Sequence, residues 1–375
     1  MNISPFKVEE WMNAYEMQAT INIAETCVNS VSLDELFALT GENKQAFLNA
    51  FCQRRLTYGD IVGKPELREG ICDLFKTLRP DEVATTHGAA GANHLAMYAL
   101  IRPGDHVVCV LPTYQQLYSI PQSFGAQVDL LPLREENGFL PDLDELRSLI
   151  KPNTRLICLN NPNNPTGALM DQPMLEAIVA MAREVGAYVL CDEVYRHLTQ
   201  TDVWSASIVD LYEKGISIGS MSKVFSLAGL HLRLGWVASH DADFINACLS
   251  RRDYSLISCG MFDEAVASLA LRHSHALLAR NRGIVRDNLA ILTDWVEKEK
   301  RVHFVRPQAG TTALLFYDSP MPSYVFCEKL LAQTGALLTP GACFELEGCT
   351  RIGYACDGNE LKAGLAAISS TLDTL

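Results

Sequence analysis

Short apolar runs recur through the middle of the chain: Val107–Leu111, Leu156–Leu159, Tyr188–Cys191, Ile216–Ile218 and Leu234–Ala238. Each is continuous rather than alternating, as a strand covered on both faces must be. Between them lie stretches such as Met174–Val185, where apolar positions return at helical spacing. Strands alternating with helices predict α/β architecture, with a mostly parallel central sheet flanked by helices. Further on, Leu278, Val285, Leu289, Leu292 and Val296 follow at steps of 7, 4, 3 and 4, which is one face of a long helix. After it the texture changes. From Val302 onward short strands (Thr312–Phe316, Ala336–Leu338, Arg351–Tyr354) alternate with helices, as in a smaller α+β domain. The predicted division is an N-terminal segment (1–44) without a strand that packs on the small domain, a large domain (45–275) and a small C-terminal domain (276–375).

Composition narrows the function classes. With 375 residues, 48% of them hydrophobic, the chain can bury a large core. No stretch approaches the roughly 18 uninterrupted apolar residues of a membrane span, and residues 1–10 do not read as a charged-then-apolar leader, so a soluble, cytoplasmic protein is expected. A formal charge of -13 without a Lys/Arg cluster argues against nucleic acid as a partner. The twelve cysteines contain no Cys-x-x-Cys pair, and Cys109, Cys158 and Cys191 sit in apolar runs, which fits a reduced compartment and no metal site.

Three motifs follow predicted strands. Asn161-Pro162-Asn163-Asn164-Pro165-Thr166-Gly167 must turn sharply, because proline cannot join a central strand and glycine permits positive φ. Cys191-Asp192-Glu193-Val194-Tyr195 puts a carboxylate at the end of a buried strand, where open α/β sheets bind their ligands. Ser220-Met221-Ser222-Lys223 ends a further strand and precedes Arg233-Leu234-Gly235-Trp236. Singly each has a plain structural explanation: an ordinary turn, a helix N-cap, a solvated lysine. Together, Asn164, Asp192, Tyr195 and Lys223, each after its own strand, form an order that chance rarely supplies.

In these motifs the sequence resembles the class I/II aminotransferases, which are pyridoxal 5'-phosphate (PLP) enzymes of fold type I in the aspartate aminotransferase superfamily. The resemblance runs from about Tyr58 to the C-terminus, and the run of motifs looks closer to members around capreomycidine synthase than to the aspartate or aromatic enzymes. It implies that Lys223 carries the cofactor as a Schiff base and then moves a proton between substrate and cofactor. A free lysine titrates near 10.4, so acting as a base near neutrality implies a fall of about three, or about 4 kcal/mol, from burial beside other cations. The resemblance further implies that Asp192 keeps the pyridine nitrogen protonated, so that the ring serves as an electron sink. Tyr195 and Asn164 would bond the ring's phenolic oxygen, and Tyr114 would stack on its face.

For the phosphate, His87-Gly88-Ala89-Ala90-Gly91-Ala92-Asn93 precedes the apolar run Leu95–Ile101, so backbone N–H groups at Ala89 and Ala90 would meet an anion at a helix N-terminus. Ser220 and Ser222 match the family's phosphate-side serines. The family's phosphate arginine usually stands eight residues after the lysine; here His231 holds that slot and Arg233 lies two further on, which makes Arg233 the preferred ligand, since guanidinium is permanently charged. Tyr58 resembles the tyrosine that reaches the neighbouring subunit's phosphate, implying a homodimer with shared active sites. Arg351 stands where relatives grip the substrate α-carboxylate, with Asn164 beside it. Residues Asn22–Thr26 would lie over the substrate.

The implied activity is transamination between an L-amino acid and a 2-oxo acid. Other PLP chemistry on an amino acid remains open, namely β-elimination, cyclisation of a guanidino amino acid or O2-dependent arginine oxidation, because all begin with the same proton abstraction. A regulator with an aminotransferase-like sensor domain is disfavoured, since the fold begins too early to leave room for a helix-turn-helix module.

Overall fold

The computed structural model describes residues 3–202, 204–229 and 233–375. Its centre is a seven-stranded sheet in the order Val83–His87, Leu234–Ala238, Gly215–Ser220, Tyr188–Asp192, Thr154–Asn160, His106–Leu111, Gln127–Pro132. Only Leu234–Ala238 runs against its neighbours. The other adjacent pairs are parallel. All five strands expected in the large domain are present. The two edge strands were not foreseen: Val83–His87 buries threonines rather than an apolar run, and Gln127–Pro132 is half exposed.

The sheet is covered on both faces, and successive residues of one strand serve opposite cores. Val107 and Cys109 pack with Leu156, Leu190 and Ile216 against helix Gly88–Leu100. Val108 and Val110 pack with Ile157, Val189 and Cys191 against Leu175, Ile178 and Val179 of helix Gln172–Val185. The continuous apolar strands are a direct consequence of this double cover.

The helix Ser274–Lys298 leads into a second sheet, antiparallel, in the order Thr339–Pro340, Cys349–Gly353, Thr312–Tyr317, Val302–His303. The expectation of no strand in the N-terminal segment is corrected. Ile21–Asn22 pairs in parallel with Ala336–Leu337, a strand of two residues that exists only through a partner more than 300 positions away and so leaves no local pattern. The same segment bonds in both directions: Trp11 Nε1 donates to Leu338 O at 2.8 Å, and Gln115 Oε1 accepts from the Lys7 N–H at 2.9 Å. Beyond Asn22 the chain presses on Gly353, whose N–H donates to Ile23 O at 2.7 Å. A Cβ at Gly353 would fall 1.7 Å from Glu25 O, so only glycine lets residues 23–27 lie this close to the strand that carries Arg351. Among the described residues no helix is long and apolar enough to cross a membrane.

Candidate active site

The parallel strands deliver their C-terminal ends to one side of the sheet. Register pairs Asn160 with Asp192, and Gly215–Ser220 lies on the other side of Asp192's strand, leading to Ser222 and Lys223. The turn after Asn160 is held by its own asparagines. Asn160 Nδ2 donates to Asp192 O at 2.8 Å while its Oδ1 accepts from the Asn164 N–H at 2.7 Å. Asn161 Oδ1 accepts from the Met170 N–H at 2.8 Å, and Asn163 Nδ2 donates to Pro112 O at 3.1 Å. Asn164 is thereby fixed with its side chain toward Arg351.

A cavity with about 1190 Å³ of space, open to solvent, lies over these ends. It is lined by Asn164, Asp192, Tyr195, Ser220, Ser222 and Lys223 from the large sheet, by Ala89, Ala90 and Tyr114, and by Arg233 and Arg351. Tyr58 is not in it: the side chain is 73% exposed, outside the cavity of its own chain. His231 lies outside the described residues.

Asp192 is buried, with Oδ2 accepting from Asn93 Nδ2 at 2.8 Å and Oδ1 from the Val194 N–H at 3.2 Å. Burial pushes its carboxyl up to about 6, and these two neutral donors offset only part of that. Arg351 is buried as well. Its Nη1 donates to Asn164 Oδ1 at 3.2 Å and its Nη2 to Ala24 O at 2.9 Å and Thr339 Oγ1 at 3.0 Å, while Nε is buried without a partner.

Lys223 Nζ donates to Thr26 Oγ1 at 2.6 Å and lies 3.4 Å from Cys27 Sγ and 4.0 Å from Glu25 Oε1. The lowered lysine pKa expected from sequence is corrected. Burial does push it down, but Cys27, Tyr195, Glu25 and Tyr114 outweigh burial and hold it above the ordinary lysine value. Of these neighbours Glu25 is the one that is ionised at neutral pH. Burial would raise the Glu25 carboxyl, yet Lys223 and the Cys27 and Thr26 N–H groups hold it down at about 2. Burial pushes the Cys27 thiol up to about 11. In the chain without cofactor the amine is therefore held as an ammonium among acceptors, and no cation supplies the fall that base catalysis requires.

Tyr114 packs against Phe6, ring centroids 4.8 Å apart, and its hydroxyl donates to Glu9 Oε1 at 2.9 Å. Ala89 and Ala90 stand in the first turn of helix Gly88–Leu100, whose leading N–H groups have no acceptor within the helix. That turn is seated by a glycine on each side. Gly88 has φ +63°, and a Cβ on Gly235 would come 2.3 Å from Gly88 C. Arg233, at the cavity edge beside Gly88, also has positive φ, +42°.

Sequence reasoning gave no role to Asn93, Cys27 or Glu9, and placed Thr26 over the substrate without foreseeing its bond to Lys223. Asn93 could have been found as the one amide on the buried face of an otherwise apolar helix. The others reach the cavity only through tertiary contacts.

A seven-stranded sheet, a lysine and a carboxylate at adjoining strand ends and a helix N-terminus facing the same cavity define a PLP-dependent enzyme of fold type I. Residues 26–368 match the family aminotransferase class I and II, and the chain belongs to it. It is 32% identical over 98% of its length to capreomycidine synthase of Streptomyces vinaceus, covering 93% of that protein. It is 30% identical over 88% of its length to aspartate aminotransferase of Pyrococcus horikoshii, covering 86% of it. Among solved structures, a PLP-dependent aminotransferase from Streptococcus suis superposes with a TM-score of 0.96 at 45% identity, covering 100% of this chain and 99% of that one. The cofactor is PLP, and the residues present fit it. Asp192 is a buried carboxylate whose hydrogen bonds among the described residues come from neutral groups, and a cationic ring nitrogen would complete it. The Gly88–Ala90 turn offers free N–H groups to an anion.

Proposed function

We propose that the chain is an aminotransferase, moving the amino group of an L-amino acid to a 2-oxo acid. The observation that carries this reading is the convergence of Lys223, Asp192 and Arg351 on one cavity. PLP, when bound, supplies the electron sink that lets the α-proton of an amino acid leave.

Lys223 would hold the cofactor covalently through Nζ and, once released as the neutral amine, would take the α-proton and return it. Thr26 Oγ1 gives the freed amine a fixed resting place. Asp192, aligned by Asn93, keeps the ring nitrogen protonated: a carboxylate that burial has destabilised gains most from a cation. Tyr195 and Asn164 would bond the ring's phenolic oxygen, and Tyr114 would cover the ring. Ala89 and Ala90 N–H groups, Ser220, Ser222 and Arg233 hold the phosphate; His231 is the other candidate for Arg233's role. Arg351, with Nε still unpartnered, grips the substrate α-carboxylate beside Asn164. Tyr58 reaches the second active site of a homodimer, which accounts for an exposed aromatic on a loop that also exposes Leu56 and Ile61. The lobes in this reading are 1–44, 45–275 and 276–375.

A second reading, cyclisation of the substrate, is supported by the similarity to capreomycidine synthase and by a PLP-dependent cyclase, OrfR, which superposes with a TM-score of 0.92 at 26% identity over 100% of this chain and 98% of that one. Both readings share every residue role above. To separate them, single amino acids are added to holoenzyme with a 2-oxo acid acceptor. Transamination yields one new amino acid per oxo acid formed and no ammonia. A product that keeps the donor's nitrogen, with no amino acid made from the acceptor, overturns transamination in favour of cyclisation.

A further inference from the structure

The cavity's charges do not balance once each group has its task. It is lined by four carboxylates, Glu9, Glu16, Glu25 and Asp192, and by Lys223, Arg233 and Arg351 as its lysine and arginines. In the reading above, Asp192 faces the ring nitrogen, Lys223 is committed to the cofactor, Arg233 to phosphate and Arg351 to the α-carboxylate. Three carboxylates are left, with no further lysine or arginine among the described lining residues to match them.

Their setting points to a ligand. Glu9 accepts from the Tyr114 hydroxyl and Glu16 from Asn22 Nδ2 at 3.4 Å, both neutral donors. Glu25 is bonded by the Thr26 and Cys27 N–H groups, each at 3.0 Å, and lies 4.0 Å from the Lys223 amine, with the Arg351 guanidinium also within electrostatic reach. The same cavity is lined by the buried Arg351, whose Nε has no partner among the described residues, so a guanidinium and an acidic wall share one space. Helical phasing adds an apolar surface between. Val8, Met12 and Glu16 are four apart and face the cavity with Glu9, while Glu10 of the same helix does not. Alkyl next to carboxylate is the surface that receives a methylene chain ending in a positive charge.

We propose that the amino acid accepted here bears a cation, a guanidinium or an amine, at the end of its side chain, held by Glu9, Glu16 and Glu25, and that dicarboxylic amino acids are rejected. This rests on the cavity being an amino-acid site. An aspartate side chain would meet three like charges, which costs binding as surely as an opposite charge helps it.

The test is a titration of holoenzyme with L-arginine, L-lysine, L-norleucine and L-aspartate, without acceptor, reading the cofactor absorbance and, in parallel, the Tm shift at equal concentration. Arginine and lysine are expected to half-saturate at least ~10-fold below norleucine, with aspartate weakest of the four. Glu9 and Glu16 are both exposed, so the double variant Glu9→Gln/Glu16→Gln keeps the fold. It should narrow the arginine-to-norleucine ratio by about 1.5- to 5-fold for each carboxylate removed. If aspartate or norleucine equals arginine, or the double variant leaves the ratio unmoved, the proposal is overturned while the amino-acid reading stands. If none of the four changes either signal but another common amino acid does, the proposal is overturned and the amino-acid reading stands; if no common amino acid changes either signal, both fall.

Discussion

Asp192 and Glu193 are neighbours in the chain and nearly equal in burial, at 3% and 6% exposed, yet their surroundings differ completely. Glu193 accepts from Ser207 Oγ, Ser217 Oγ and the Ile208 N–H at 2.7–3.0 Å and faces the Arg196 guanidinium at 3.4 Å. Its partners come from within the fold, and they tie the strand end to the segment 207–217. Asp192 has two neutral donors and a cavity in front of it. Burial raises both carboxyls, but around Glu193 the chain supplies a full set of partners, whereas at Asp192 one side is left for something that arrives from outside. Satisfaction, rather than burial, separates the carboxylate that holds the structure from the one that serves the chemistry.

The comparison can be broken by neutralising each carboxylate in turn. Asp192→Asn should lower turnover on the order of 10²- to 10³-fold by removing the charge that faces the ring, with the fold retained by circular dichroism. Glu193→Gln should instead cost about 3–5 kcal/mol of stability in a denaturant titration, because Arg196 is left buried and uncompensated. If the two variants exchange these phenotypes, the assignment is wrong.

The next effect is a pH dependence of the chain stripped of cofactor. An unfolded Asp titrates near 3.9, and Asp192 in the fold near about 6. Below the first value both states are protonated and nothing is lost. Between the two, the folded chain keeps a proton that the unfolded chain has released, so stability falls as pH rises, by about 3 kcal/mol once both are ionised. Asp192→Asn removes this penalty. The stripped variant should exceed the stripped parent in stability above pH 6, with the gap closing toward pH 4, and a gap independent of pH would contradict the assignment.

The smallest effect concerns Arg351. Lysine keeps the charge but not the fork, and Arg351→Lys should raise KM for the amino acid about 10- to 100-fold, with kcat less affected.

How much of this was legible follows from where each signal lives. The central strands could be read because both faces are apolar, so burial itself wrote a continuous run. Val83–His87 and Gln127–Pro132 sit at the sheet edges and leave no such run. Asn164, Asp192, Ser220 and Lys223 could be picked out because strand ends follow one another in sequence as they do in space. Thr26 and Lys223 meet across 197 residues, and nothing near either one announces the other. The protonated state of Lys223 in the chain without cofactor was illegible for the same reason, since burial is written locally and the acceptors around it are not.

The measurement that bears most directly on the central claim is borohydride reduction of the yellow holoenzyme followed by mass analysis of its peptides. The cofactor should be found fixed to the peptide containing Lys223, and Lys223→Ala should emerge colourless, with activity down at least ~10⁴-fold. A yellow Lys223→Ala protein that still forms a reduced adduct and still processes amino acids would contradict the account.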